Sequence, residues 1–385
     1  MTTRRNPVVK FDRSICNDFT AASSREWLVT NGIGGFASGT VAGCATRRYH
    51  GLLFAALNPP LGRTQLVAAL DEIISYAGIN YELATHEWAS GAIVPQGFHL
   101  VESFRLEGTI PTWIYALGDA RMQKQVWMRQ GENTTYVRYT LLGAASPIQF
   151  YAKALVNHRD FHGSTHAGDW RMRIESAPRG VRVIAFEGAA PFYLQSSETS
   201  AETQHTWYRD CFFRLERQRG LDDREDHLFA AQFYASLESG NSLTFTFSTN
   251  EDTLLDGATA LAEQIDHEVQ ILDSFAKSAI SDSTHLQQFA LAADQFIVKR
   301  PLPDNPDGHS VIAGYHWFGD WGRDTMIALP GLSLATNRAE IAREILLAFA
   351  QFVDGGMLPN NFPDAGGRPE FNTIDAALWY FEAVR

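Results

Sequence analysis

The chain has 385 residues, of which 45% are hydrophobic and 20% charged, and its formal net charge is −12. This is globular composition at a length that exceeds one ordinary core and calls for two domains, and the negative charge disfavours nucleic acid and anionic lipid as partners. Cys16, Cys44 and Cys211 are too few and too scattered for a disulfide framework or a zinc knuckle.

Residues 1 to about 25 form a polar lead-in, with Arg4 and Arg5 but no apolar stretch behind them. No later run approaches the roughly eighteen apolar residues of a membrane span, so the expected location is cytoplasmic. From Trp27 the chain breaks into short apolar runs, among them Gln65 to Leu70, Ile110 to Leu117, Lys124 to Arg129 and Thr134 to Leu142. Val126-Trp127-Met128 and Thr135 to Thr140 are β-branched and aromatic, and turn residues Gly131, Glu132 and Asn133 lie between them, so the pair reads as a hairpin. The texture persists through Ser242 to Ser248 without an amphipathic helix long enough for a crossover, which predicts an antiparallel β-sandwich over residues 1–250.

The glycine cluster Gly32 to Gly43 satisfies only the loosest dinucleotide pattern. Ser38 to Gly43 would make a poor helix, and no acid stands between Gly34 and Asp71 to hold a ribose. His158-Arg159-Asp160-Phe161-His162 has histidines four apart, but its neighbours do not read as helical and no third ligand is placed, so it reads as a polar loop.

Past Asn250 the period becomes helical. Thr253 to Lys277 predicts a linker helix, placed within residues 251–280, and His285 to Ile297 a second helix. Pro301, Pro303, Pro306 and Gly308 then mark a loop from Arg300 to Gly314. Helices are predicted again at Asp324 to Ala335, at Ala339 to Val353 with Gly355 and Gly356 closing the end, and from near Thr373 to Arg385.

The stretch from Tyr315 to Thr325 is unlike the rest: it packs aromatic rings, Asp320, Asp324, Arg323 and two glycines together. Acids and arginines are seldom buried unpaired, so this is poor core material. It is good material for a sugar site, where rings cover the C–H faces of a pyranose and charged groups hydrogen-bond its hydroxyls. The bland alternative is a helix N-terminus carrying a favourable acid. Likewise Asn360 and Asn361 can be plain turn residues, and Asp375 a helix-initiating acid.

Three segments carry a family resemblance. Residues 317–332, beginning Trp317-Phe318-Gly319-Asp320-Trp321-Gly322-Arg323-Asp324, resemble the opening of the glucosidase domain of glycogen debranching enzymes, the amylo-alpha-1,6-glucosidases. Gly356 to Phe362 and Phe371 to Trp379 continue the likeness, and Glu26 to Thr40 with Thr46 to Leu53 resembles the N-terminal domain of bacterial members. The resemblance implies an (α/α)6 toroid beginning at residue 281, of which residues 281–385 hold only the first helices, so that the chain is read as a fragment. It implies hydrolysis of α-1,6-linked glucose at branch points of glycogen or another branched α-glucan by an inverting pair of carboxyl groups, with no cofactor. Trp317, Asp320, Trp321, Arg323, Asp324, Asn360, Asn361 and Asp375 become the expected sugar-binding residues. Asp375 is also the local candidate acid, although the resemblance places the general acid and base beyond Arg385, so that this chain alone is expected to be inactive. The alternatives are another toroidal glycosidase or phosphorylase, glucoamylase-like or trehalase-like, and a non-catalytic α-glucan-binding protein.

Overall fold

The computed structural model describes residues 7–277, 283–301, 306–362 and 368–385. The chain forms two compact units: Met1–Val29, Phe36–Ala55 and Thr64–Ala262 make the first, while Thr30–Gly35, Ala56–Arg63 and Glu263–Arg385 make the second. The contiguous division at residue 250 read from the sequence does not include the two early excursions, 30–35 and 56–63.

The first unit is built on two large, mostly antiparallel sheets. A nine-stranded sheet runs in the order Lys10–Asp12, Val101–Glu107, Ile110–Leu117, Ala120–Met128, Thr134–Gly143, Ser242–Ser248, Phe192–Gln195, Gly180–Ile184 and Arg173–Ala177. An eight-stranded sheet runs Ser200–Phe212, Arg224–Leu237, Ile148–Asp160, Leu61–Tyr76, Gly51–Asn58, Phe36–Thr40 and Glu26–Thr30, with Ile79–Glu82 beside Leu61–Tyr76. Their inner faces meet ring to ring: Tyr139 lies 4.8 Å from Phe150, and Phe233 lies 5.2 Å from Phe245. Each such ring is fully buried and stabilises the sandwich by roughly 1.5–3 kcal/mol. The predicted hairpin is present, with Val126 opposite Val137 and Gly131 at φ +80° in its turn.

One expectation in this unit fails. The 158–162 segment is the end of the strand Ile148–Asp160 and the residues after it, not a free loop. Arg159 turns inward to an ion pair with Glu225, and Tyr49 Oη sits 3.0 Å from His162 Nδ1. A polar run with no apolar alternation conceals a strand when its charges are paired inside.

In the second unit, a four-stranded antiparallel sheet of Ile297–Lys299, His309–Gly314, Phe318–Trp321 and Asn361–Phe362 packs with helices. These are Thr284–Gln295, Gly322–Leu329, Ala339–Ala350 and Asp375–Val384; Val311, Met326, Leu329, Ile345, Phe349, Phe362 and Ala376 form the core of the last three with the sheet, while Ala290 and Leu291 of the first pack with Ile271, Leu272 and Phe275. The predicted linker helix is Gly257–Phe275, and the unit boundary falls within it.

Here the sequence reading needs three corrections. The segment 309–314, read as loop, is a strand, because its residues pair with Ile297–Lys299 and with Phe318–Trp321. Gly355 and Gly356 do not close a helix. Both have positive φ, and Asp354 and Met357 exchange backbone hydrogen bonds across them at 2.9 and 3.0 Å, a two-residue turn that needs glycine at both positions. Asn361 is not a turn residue but pairs with Trp321 in a short strand.

Candidate functional site

The Tyr315 to Thr325 stretch is anchored before it becomes a site. Tyr315 is buried, its carbonyl accepts a hydrogen bond from the fully buried Arg63 at 3.2 Å, and its ring lies 6.1 Å from Phe296. The strand Phe318–Trp321 follows, and Asp320 within it is wholly buried, its carboxylate paired with Arg300. Arg300 in turn lies over the Phe362 ring at 4.0 Å. Asp320 therefore holds the strand in place, and its side chain, expected from the sequence to contact a ligand, is wholly buried. Arg300 escaped the sequence reading because it stands beside a proline-rich loop, and only the fold brings it to Asp320.

The turn from strand to helix depends on Gly322. Its N–H donates to the Asn360 carbonyl at 3.0 Å, which caps the helix Gly322–Leu329 by backbone alone. A Cβ at Gly322 would stand 2.2 Å from the Pro359 oxygen, so no larger residue fits. Asn360 is itself buried, and its N–H donates to Glu370 O at 2.8 Å, while the Glu370 N–H donates to Asn361 O at 2.9 Å. Asn360 thus serves as scaffold, whereas Asn361 is half-buried with its amide 3.3 Å from Glu370 Oε2.

The surface that results is aromatic and charged. Trp317 is 37% exposed and Phe318 45%, and Phe318 meets the half-buried Trp321 edge to face at 5.5 Å. Two residues after Trp321 in the chain, Arg323 reaches Asp375 Oδ2 at 3.3 Å and Asp324 Oδ2 at 3.8 Å, with all three side chains 39–45% exposed. Asp324 lies in the first turn of one helix and Asp375 opens the other, so each carboxylate also faces the positive end of a helix dipole. The Asp375 carboxyl is held below its ordinary range, first by the neighbouring Thr373 side chain; burial opposes this, and Arg323 adds to the lowering. A general acid must keep its proton near neutral pH, which needs a raised value; these surroundings do the reverse. The structure therefore brings together Arg323, Asp324 and Asp375 and sets Asn361 opposite Trp321.

Flat rings beside a guanidinium held between two carboxylates form a surface suited to a neutral, hydroxyl-rich ligand, with donors and acceptors fixed in place and little net charge. Comparison with known proteins narrows this. The family described as "Glycogen debranching enzyme N terminal" matches residues 25–244, and that described as "Amylo-alpha-1,6-glucosidase" matches residues 291–385. The chain belongs to the glycogen debranching enzyme family. Over 65 residues it is 43% identical to the glycogen debranching enzyme of Saccharomyces cerevisiae, a match that spans 17% of this chain and 4% of that protein. Among solved structures, a family GH92 alpha-mannosidase from Bacteroides thetaiotaomicron aligns over 94% of this chain and 50% of its own at 12% identity, with a TM-score of 0.29. A likeness that low carries no argument about the fold. Among the described residues no helix is long and apolar enough to cross a membrane, and no group of three or more His, Cys, Asp or Glu is placed to hold a metal ion.

Proposed function

We propose that this chain is the sandwich and first helical part of a glycoside hydrolase of the debranching type, acting on α-1,6-linked glucose at branch points of glycogen. In this reading the helices Gly322–Leu329, Ala339–Ala350 and Asp375–Val384 open an (α/α)6 toroid. The exposed face around Arg323 then binds a glucosyl unit. The observation that carries it is the placement of Arg323 between Asp324 and Asp375, on the segment that also holds the edge-to-face pair of Phe318 and Trp321. Trp317, Phe318 and Trp321 supply apolar faces, Arg323 donates to ring hydroxyls, and Asp324 and Asp375 accept from them. Hydrolysis with inversion calls for one carboxyl kept protonated and another ionised roughly 6.5–9.5 Å away. Arg323 favours the ionised form of Asp375, so the reading assigns Asp375 to binding together with Asp324 and leaves proton transfer to other carboxyl groups.

The test is calorimetric titration of the chain with a short α-1,6-branched oligosaccharide. Arg323→Ala and Asp375→Asn are each expected to weaken binding by about tenfold or more, the loss of one or two charge-assisted hydrogen bonds. Unchanged affinity in both variants would remove the site. Glucose release from the same substrate by the purified chain would overturn the assignment of these carboxylates to binding alone if it disappeared in Asp375→Asn.

A further inference from the structure

A cavity of about 100 Å³ lies inside the first unit, lined by Trp27, Trp88, Trp113, Tyr115, His86 and His227 among others. At roughly 10–15 Å³ for each water, it is too large for a single trapped solvent molecule. Its walls come only from the β-sandwich, so it is separate from the face around Arg323.

Three polar side chains on its wall keep hydrogen-bonding capacity that the described residues do not take up. Tyr115 is 3% exposed, and its hydroxyl has no hydrogen-bond partner there. His227 is also buried. Asn157 Nδ2 lies 3.2 Å from its Nδ1, which leaves the proton on Nε2, and the nearest carboxylate oxygen to that atom, Glu225 Oε2, is 3.9 Å away. Burial holds His227 below its ordinary range, so this imidazole is a neutral donor. His86 uses Nε2 on Asp71 at 2.8 Å, and its Nδ1 has no partner among the described residues. Unused donors and acceptors gathered on one wall can be met by water or by the hydroxyls of a guest.

Charge decides what kind. The ionised groups on the wall already have their counter-ions: Lys124 lies 2.5 Å from Glu72, His86 holds Asp71, and Glu87 takes Arg214 at 3.2 Å. A charged guest would find no opposite charge to meet. The rest of the wall is indole, with Trp27 and Trp113 edge to face at 5.6 Å. Flat apolar rings with a few neutral donors and acceptors suit a small neutral polyol, in which C–H faces alternate with hydroxyls. The backbone also makes room. Strand Ile148–Asp160 shifts register beside Leu155 against both of its neighbours, which places Ala68 in a bulge, and Ala68, Ala69 and Leu155 line the cavity. Bulges of this kind recur beside binding sites.

We propose that the sandwich cavity is a second binding site, for one neutral saccharide unit, held by Tyr115, His86 and His227 against the indoles of Trp88 and Trp113. The experiment is titration of the full chain with glucose and with maltose in an Arg323→Ala background, so that failure here is distinct from failure of the helical-unit site. One saccharide is expected to bind per chain. Ala69→Phe, whose ring fills the void, is expected to lower affinity at least about tenfold without lowering the melting temperature. Tyr115→Phe, which removes a single oxygen and keeps the packing, is expected to weaken binding about fivefold. The proposal is overturned if neither sugar binds, if both variants bind as the parent does, or if inorganic phosphate competes with the sugar for the site.

Discussion

Replacing Asp320 by Ala tests whether the buried pair beneath the candidate site supports it. The carboxylate is wholly buried and the Arg300 side chain is 11% exposed, with Phe362 under its guanidinium at 4.0 Å. Packed in this way, Arg300 cannot swing into water without giving up the ring, so Asp320→Ala leaves a charge buried and unpaired. Such losses cost about 3–5 kcal/mol. With a urea slope of about 2 kcal/mol/M, the midpoint for the second unit falls by about 2 M. Urea titrations followed by circular dichroism and tryptophan fluorescence measure it. The double replacement Arg300→Met with Asp320→Leu restores an apolar interior and is expected to recover most of the loss. A cost below about 1 kcal/mol in Asp320→Ala, the range of an exposed pair, would refute the argument.

Gly322→Ala forces a methyl to 2.2 Å from the Pro359 oxygen, so the backbone must yield; a loss of about 1–3 kcal/mol is expected, with faster amide exchange along Gly322–Leu329 as the direct readout. Glu26 titrates near 2: burial pushes its carboxyl up, but the hydrogen bond to His50 and the charge of Arg47 outweigh it. A lowered carboxyl stabilises the fold above its unfolded value near 4.5 and loses that contribution as pH falls toward 2, up to about 3 kcal/mol in all. Glu26→Gln should therefore melt lower than the parent at pH 7 and lose less between pH 5 and 2; a parallel decline in both proteins would contradict this. Leu378 and Phe381 are 62% and 65% exposed on the helix Asp375–Val384. Replacing both by Lys is expected to change stability by no more than about 0.5 kcal/mol per site and to reduce self-association in light scattering; a large destabilisation would show that those side chains are packed.

Much of this protein was legible in its sequence. Alternating β-branched and aromatic runs fixed the sandwich, since period-two burial is a local property and Val126 to Met128 with Thr135 to Thr140 carries it on its own. Trp317, Trp321, Arg323 and Asp324 stand out in the sequence as a candidate site because rings and charges crowded into one segment have no comfortable place in a core. Tertiary structure alone decided the rest. It sent Asp320 inward to Arg300, twenty residues away across a proline-rich loop, and turned Asn360 into a backbone cap for Gly322. It made strands of 309–314 and of Asn361–Phe362, where no local pattern announces pairing, because a ladder's partner is chosen by the sheet and not by the segment. Whether a polar side chain faces solvent or a counter-ion depends on what the distant chain puts opposite it, and that information is not stored at any one position.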